Sequence, residues 1–116
     1  MGPKYEFTGE TRKWYSYTLH RIRRIEDGEL GGWIESEDNL SQEGDCWVSG
    51  QAEVYGNARV FDNAVISWCA QVYDDAQVYG NAWIGDNAQV YGNARVCGNA
   101  CISGDDEVCD EIIGEE

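Results

Sequence analysis

The chain has 116 residues, enough for one domain and too few for two of ordinary size. Its hydrophobic residues, 42% of the total, are spread too evenly to form a bilayer-spanning run, and the first residues lack the apolar segment of a secretory signal. The formal net charge of −14 argues against direct binding to nucleic acid or to an anionic membrane. We therefore expect a cytoplasmic protein.

The charge is unevenly distributed along the chain. Residues 1–24 carry six basic and two acidic side chains, a net charge of +4, whereas residues 25–116 carry two arginines and 20 acidic side chains, a net charge of −18. The acidic part could attract a basic partner, including a protein with a groove built for nucleic acid, although acidity also serves solubility.

Residues 1–45 predict a β-hairpin and a lead-in segment that together cap the rest of the molecule. The stretches KYEFTGET and YSYTLHRIRRI read as two strands joined through RKW. Tyr5 and Phe7 would share one face of this hairpin, and Tyr15, Tyr17 and Leu19 would share a face of the second strand. A small apolar contact could form there.

The basic side chains of the hairpin have two interpretations. They could contact a phosphate or another anion, or they could pair with the acidic residues at 26–45, and we favour the pairing because most of the chain is acidic. The residues concerned are Lys13, His20, Arg21, Arg23 and Arg24.

From residue 52 to residue 105 the sequence divides without a gap into nine hexads: AEVYGN, ARVFDN, AVISWC, AQVYDD, AQVYGN, AWIGDN, AQVYGN, ARVCGN and ACISGD. Degenerate copies flank them, so we assign the repeat to residues 46–111 and an acidic tail to residues 112–116. Positions one and three of each hexad alternate with polar residues as in a strand, and positions five and six favour a corner. Such units coil into a solenoid. Leu40, in the lead-in, is out of the hexad register.

A second, longer period sets the size of one coil. Ile replaces Val at position three only at residues 66, 84 and 102, and small residues occupy position four at 49, 67, 85 and 103. Both sets recur every third hexad, so three hexads make one coil, which gives a triangular cross-section. On this arrangement Tyr55, Tyr73 and Tyr91 line up on one outer face, and Phe61 and Tyr79 on another.

The frame VYGNAR resembles the hexapeptide repeat of left-handed parallel β-helix proteins, although Tyr, Phe and Cys stand where that repeat usually has a small or acidic residue. With the lead-in KYEFTGET, TLHRIR and GGWIESEDNLS, the chain resembles phage-associated and gut-bacterial solenoids with VYGNA strings. The resemblance implies left-handed coils and frequent trimers. We expect an all-β fold: a single-stranded parallel β-helix, triangular and left-handed, with three hexads per coil and an N-terminal β-hairpin cap.

One of the three faces differs from the others, because its outward positions are apolar and are flanked by Ser or Gly. Such a stripe on an acidic protein indicates a docking surface. Three occupants are open: the N-terminal hairpin, a second copy of the chain in a dimer or trimer, or a foreign protein, and we favour the second copy. The predicted interaction residues are Trp47, Val65, Trp68, Cys69, Trp83 and Cys101.

The chain is not expected to be an enzyme. The resemblance to hexapeptide-repeat acyltransferases implies a His as general base on an extended coil, but the single His, His20, lies in the hairpin. No His lies in the coils to activate Cys97 or Cys101, and no loop interrupts the hexads to shape a pocket. Five cysteines without a CxxC pair predict reduced thiols, with no metal site and no cofactor.

These features favour a non-catalytic interaction module that self-associates and is encoded by a phage or other mobile element, acting in a bacterial or phage-infected cell. The alternative is an acidic inhibitor that mimics nucleic acid and blocks a basic host protein of defence or of DNA or RNA handling; a relative of the acyltransferases is the least favoured. The acidic surface of such an inhibitor would comprise Asp62, Asp74, Asp75, Asp86, Asp105, Asp106 and Glu107.

Overall fold

The computed structural model of the chain describes residues 3–114. An antiparallel hairpin of β1 (Tyr5–Trp14) and β2 (Tyr17–Arg24) is followed by β3 (Leu30–Ile34) and a single 3-10 turn at Glu37–Asn39. Twelve short strands then complete this range: β4 (Trp47–Val48), β5 (Glu53–Val54), β6 (Arg59–Val60), β7 (Val65–Ile66), β8 (Gln71–Val72), β9 (Gln77–Val78), β10 (Trp83–Ile84), β11 (Gln89–Tyr91), β12 (Arg95–Val96), β13 (Cys101–Ile102), β14 (Glu107–Cys109) and β15 (Ile112–Ile113). Within residues 3–114, no helix is long and apolar enough to cross a membrane.

The strands form three sheets, and successive strands of the chain pass from one sheet to the next. The first sheet has the order β1-β2-β3-β5-β8-β11-β14, the second β6-β9-β12-β15, and the third β4-β7-β10-β13. From β4 onward, each strand pairs in parallel with the third strand after it in the chain, as Glu53 does with Gln71 and Val65 with Trp83. The described chain is therefore an all-β parallel solenoid of about four turns.

The core runs along the axis of the coil and is built from small and β-branched side chains. Val54, Val72 and Val90 stack in one inner column, each fully buried, and the Ala residues at position one of the hexads fill the corners beside such columns. Only side chains of this size fit between three sheets of very short strands at interior packing density. The inward direction predicted for positions one and three is confirmed.

The corners are formed by residues in the left-handed backbone region, which recur every six positions. Glycine adopts this region without steric cost, and Asp tolerates it better than most residues. The positive φ angles lie at Gly50, Gly56, Asp62, Trp68, Asp74, Gly80, Asp86, Gly92, Gly98, Gly104 and Asp110.

The parallel pairing begins earlier than the hexad pattern indicates. Ile34 pairs with Val54 and Leu40 with Val60, so the first coil is two residues longer than the coil that joins Val54 to Val72. Leu40 is out of the hexad register in sequence, yet it is fully buried in the inner column of the second sheet. The extra residues lie between Leu40 and Val48, since Val48 already pairs with Ile66 in the regular register.

At the other end, parallel pairing continues into the segment predicted as an acidic tail. Ile112 pairs with Arg95 and Ile113 with Val96, one residue closer in sequence than the regular coil. The last two residues of the predicted tail, at 115 and 116, lie outside the described range.

The hairpin differs from its prediction at the turn. The first strand extends through Trp14, and Tyr15 lies in the turn itself, with a φ of 54° and 83% of its surface exposed. The prediction that Tyr15 shares a strand face with Tyr17 and Leu19 is therefore wrong, because the turn between the two strands falls on Tyr15. Leu19 is buried and Tyr17 packs beside it on the outer side of the first sheet.

Candidate interaction surface

The third sheet brings four of the six predicted interaction residues into one column. Its parallel register pairs Trp47 with Val65, Val65 with Trp83, and Trp83 with Cys101. Each of these side chains lies one position before a buried Val or Ile, so it points outward while its neighbour points into the core.

The cap covers the first member of this column. The Arg24 guanidinium lies 4.5 Å from the centre of the Trp47 ring, and the Tyr5 ring meets Trp47 edge-on at 6.3 Å. Trp47 keeps only 4% of its surface exposed. At Trp47 the occupant is thus the chain's own hairpin, one of the three occupants that the sequence left open.

Beyond the cap, the rest of the column is uncovered within the described chain. Val65 and Trp83 are half-buried and Cys101 is exposed. The Trp83 ring lies across Gly85, where an added Cβ would overlap the ring. Glycine at this position therefore lets the indole lie against the strand, which leaves a broad apolar surface on the sheet.

The corner beside this column carries an exposed tryptophan in an unusual backbone conformation. Trp68 has a φ of 56° and is 65% exposed, at a position where every other corner from residue 50 to residue 110 has Gly or Asp. A bulky side chain in this region is strained. Cys69, the next residue, is also exposed, and all five cysteines of the chain are free thiols.

The predicted anion-contact residues are mostly occupied within the hairpin. Arg23 contacts Glu6 at 2.5 Å and Arg21 contacts Glu10 at 3.8 Å, both across the hairpin, while Arg24 contacts Asp27 at 3.3 Å. The remaining contacts are Arg24 with Glu29, Lys13 with the hydroxyl of Thr18, and the His20 ring stacked on Phe7 at 4.5 Å.

The prediction that these basic residues pair with the acids at 26–45 is thus correct for Arg24 and wrong for Arg21 and Arg23. Antiparallel pairing places Glu6 directly opposite Arg23, so the nearest carboxylates lie on the neighbouring strand.

Sequence reasoning did not single out Arg12, which joins the hairpin to the coils. Its guanidinium contacts the Glu53 carboxylate at 2.7 Å and lies 4.2 Å from the centre of the Trp33 ring. Glu53 is 7% exposed and also accepts a hydrogen bond from Gln71. A buried carboxylate needs such partners, so this ion pair anchors the cap.

The predicted aromatic ladders are confirmed on two sheets. Tyr55, Tyr73 and Tyr91 stack at centroid distances of 5.2 Å, and Phe61 stacks on Tyr79 at 4.9 Å. The hairpin covers the first rung, because the Trp14 indole donates a hydrogen bond to the Tyr55 hydroxyl at 3.0 Å. Burial raises the pKa of Tyr55 to about 12.

The same ladder ends beside the last coil, where the Tyr91 hydroxyl donates a hydrogen bond to Glu107 at 3.0 Å. That hydrogen bond raises the pKa of Tyr91 to about 12, since it favours the neutral phenol. Glu107 is thereby engaged, whereas Asp105 and Asp106 beside it are exposed.

Three of the predicted mimic residues have a structural role that sequence reasoning missed. The carboxylates of Asp62, Asp74 and Asp86 each accept a hydrogen bond, at 3.0 to 3.1 Å, from a backbone amide of the next coil. Each donor is a glycine: Gly80, Gly92 and Gly104. The signal was present as Asp at position five of one hexad and Gly at position five three hexads later. Asp75 in turn accepts a hydrogen bond from the Asn57 side chain.

The second sheet carries the two arginines that lie outside the hairpin. Arg59 and Arg95 are exposed, and neither forms an ion pair with another residue in the range 3–114. Arg59 lines an open cleft of about 630 Å³ together with Glu35 and Asp38. Among the residues that the structure describes, no group of His, Cys, Asp or Glu is arranged to hold a metal ion.

Comparison with known proteins identifies the repeat. Residues 52–67, 70–86 and 88–105 match the family model described as the YdcK β-solenoid repeat. A stretch of 40 residues, 34% of this chain, is 50% identical to the uncharacterized acetyltransferase YdcK of Escherichia coli strain K12. That stretch covers 11% of YdcK, so the chain spans about a tenth of its relative. The repeat matches and the parallel sheets agree that this chain carries a β-solenoid repeat.

Proposed function

We propose that this chain is a non-catalytic protein-interaction module that associates with further copies of itself, as a trimer or dimer. The observation that carries the proposal is the uncovered part of the third sheet. Val65, Trp83 and Cys101 form an outward column without a charged side chain, and Trp68 and Cys69 extend it at the corner. An apolar surface of this kind on a chain of net charge −14 is costly to leave in water.

The coil that presents this surface is left-handed and triangular, with three hexads per turn. This finer geometry is supported by the constant sequence separation of paired residues in each of three sheets and by the resemblance to hexapeptide-repeat proteins. Short strands closed by tight corners make flat, stiff faces. A stiff face loses little conformational entropy when it docks, which suits a module whose product is assembly.

A non-catalytic role is supported by the placement of the groups that acyl transfer would use. His20 stacks on Phe7 in the hairpin, and its strand belongs to the first sheet, whereas the uncovered apolar column belongs to the third. The word acetyltransferase in the name of YdcK describes a protein of which this chain matches about a tenth. No feature of residues 3–114 specifically favours the acyltransferase alternative.

The test is the solution mass of the wild type and of Trp83→Glu, measured by light scattering at several protein concentrations. We expect a trimer or dimer for the wild type and a monomer for Trp83→Glu, because a buried carboxylate at the contact is unfavourable. Gln89→Glu is the matched control, since it adds the same charge on the first sheet and keeps an oxygen for the hydrogen bond from Tyr73. A monomeric wild type would refute self-association.

A second candidate is the acidic inhibitor of a basic host protein, encoded by a phage and directed against a defence or nucleic-acid-handling protein. The exposed Asp105 and Asp106 favour it, because neither pairs with a cation among residues 3–114. Binding of this kind would weaken steeply as salt is raised from about 50 to about 200 mM. Salt-independent capture of a host protein would exclude it.

A further inference from the structure

The contact between the cap and Trp47 shows which kind of side chain can pack on the outer side of the third-sheet column. Over Trp47, the first tryptophan of that column, lies the guanidinium of Arg24 at 4.5 Å from the ring centre. A similar stack, Arg12 over Trp33 at 4.2 Å, occurs on the first sheet. In two places in this fold, therefore, an arginine stacks on an indole ring that lies flat against a strand. Cation–π attraction favours this arrangement.

Trp83 is the equivalent of Trp47 two coils further along. Both occupy the same outward column through Val65, and both precede a buried aliphatic residue of the core. Trp83 is half-buried, its ring lies across Gly85, and no arginine of residues 3–114 lies over it. The surface that Arg24 covers on Trp47 is thus present and uncovered on Trp83.

Two arginines form no ion pair with any residue from 3 to 114. Each hairpin arginine contacts a carboxylate, but Arg59 and Arg95 form no ion pair within the described range. Arg59 lines the cleft beside Glu35 and Asp38. Arg95 instead lies between Gln77 and Ile112 on the second sheet, and Ile112 is 65% exposed.

We infer that Arg95 of a second copy stacks on Trp83, with the exposed Ile112 of that copy packing on the apolar column beside it. This inference rests on the self-association proposed above and names the two surfaces that meet. The contact joins the second sheet of one copy to the third sheet of the next. Since two different surfaces meet, repetition of the contact is head-to-tail, and it gives the trimer where the rotation between copies closes after three of them.

Light scattering of four single variants tests the pairing. We expect Arg95→Gln to weaken assembly about 10-fold per contact, and Arg95→Lys to fall between it and the wild type, because an ammonium stacks less well than a guanidinium. Arg59→Gln is the control that removes the same charge from the same sheet and leaves assembly unchanged. Trp83→Glu gives monomers. Arg95 is exposed, so its variants keep the fold, which thermal unfolding verifies.

Mixing Trp83→Glu with Arg95→Gln, diluted until each variant alone is monomeric, sharpens the test. Trp83→Glu retains Arg95, and Arg95→Gln retains Trp83, so an equimolar mixture contains one intact contact and cannot close a ring. We expect a one-to-one heterodimer at concentrations where either variant alone is monomeric.

The outcomes separate the two proposals. If Arg95→Gln assembles like the wild type while Trp83→Glu does not, the arginine contact is refuted and self-association through the third sheet stands. A wild type that is monomeric at all concentrations refutes both proposals. The mixture supports the inference only if it forms heterodimers, and a mixture that stays monomeric refutes the head-to-tail contact.

Discussion

The cap and the repeat are held together in different ways. In the repeat, the same contacts recur in every coil: a Val or Ile stacks on its equivalent in the next coil, and a corner amide bonds to that coil as well. In the cap, each contact occurs once, as when the Tyr5 hydroxyl donates to the Leu40 carbonyl at 2.5 Å or Arg12 reaches Glu53. The repeat is therefore redundant, whereas the position of the cap depends on a few particular side chains.

The same contrast appears within one column of the third sheet. Trp47 and Trp83 occupy equivalent positions, yet only Trp47 lies under the cap, with 4% of its surface exposed. A regular coil presents the same surface site in successive turns. The hairpin that folds back over the coil covers one of these sites and leaves the other uncovered. Specific contacts in a solenoid thus arise where an irregular segment or an exceptional residue breaks the repeat.

The largest effect is expected from a cavity in the repeat. Ile66 is fully buried between Val48 and Ile84, and Ile66→Ala should lower the free energy of unfolding by about 2–5 kcal/mol. Urea denaturation measures this change. Gln77→Ala, on the outer side of the second sheet, should change it by less than about 0.5 kcal/mol. Equal losses for both variants would mean that the inner columns do not carry the stability of the coil.

An intermediate effect is expected where the cap is anchored. Arg12→Leu leaves the Glu53 carboxylate buried without its cation, and docking of the hairpin should weaken by about 1–3 kcal/mol, the range for a buried acceptor left without its partner. Hydrogen exchange at the amides of β2 reports this opening, while the amides of β9 should stay protected. Arg23→Leu is the matched control, since its pair with Glu6 is exposed and contributes about 0–1 kcal/mol. Faster exchange in β9 as well would show that the cap and the coils open together.

The smallest effect is a gain. Trp68→Gly relieves the left-handed strain at the corner and should raise the free energy of unfolding by about 0.5–1 kcal/mol. Trp68→Ala provides the comparison, because alanine keeps the steric cost at positive φ and should give no gain. Chemical denaturation of the monomeric Trp83→Glu background separates this effect from assembly. A loss of stability in Trp68→Gly would mean that the exposed ring packs on the coil more favourably than the strain costs.

Regular parts of the fold were predictable because each depends on a local rule. The alternation of Ala and Val with polar residues predicted the inner columns, and the longer of the two periods predicted the stacking of Tyr55 on Tyr73. The bonds from glycine amides to corner carboxylates, such as Gly92 to Asp74, were readable in principle from the same period. They were missed because Asp at a corner also has an ordinary explanation in turn propensity.

Irregular parts were not predictable from pattern. Leu40 looked out of register because the first coil is longer than the coil that follows it. The residues around Leu40 carry no pattern that indicates the sequence separation of its paired strands. Arg12 looked like one of several basic residues, and its role depends on Glu53, which lies far away in sequence. Tyr15 fitted the alternation of a strand, but the turn of the hairpin falls on it.

The sequence by itself determined the solenoid, because every repeat meets only its neighbours at a fixed separation and a single hexad suffices to specify a strand and a corner. It also determined which residues form the odd column of the third sheet. Only the tertiary structure decided that Trp47 lies beneath Arg24 and Tyr5 while Trp83 is uncovered within residues 3–114. That outcome depends on how a long hairpin folds back over the first coil, and such contacts join segments that share no local pattern.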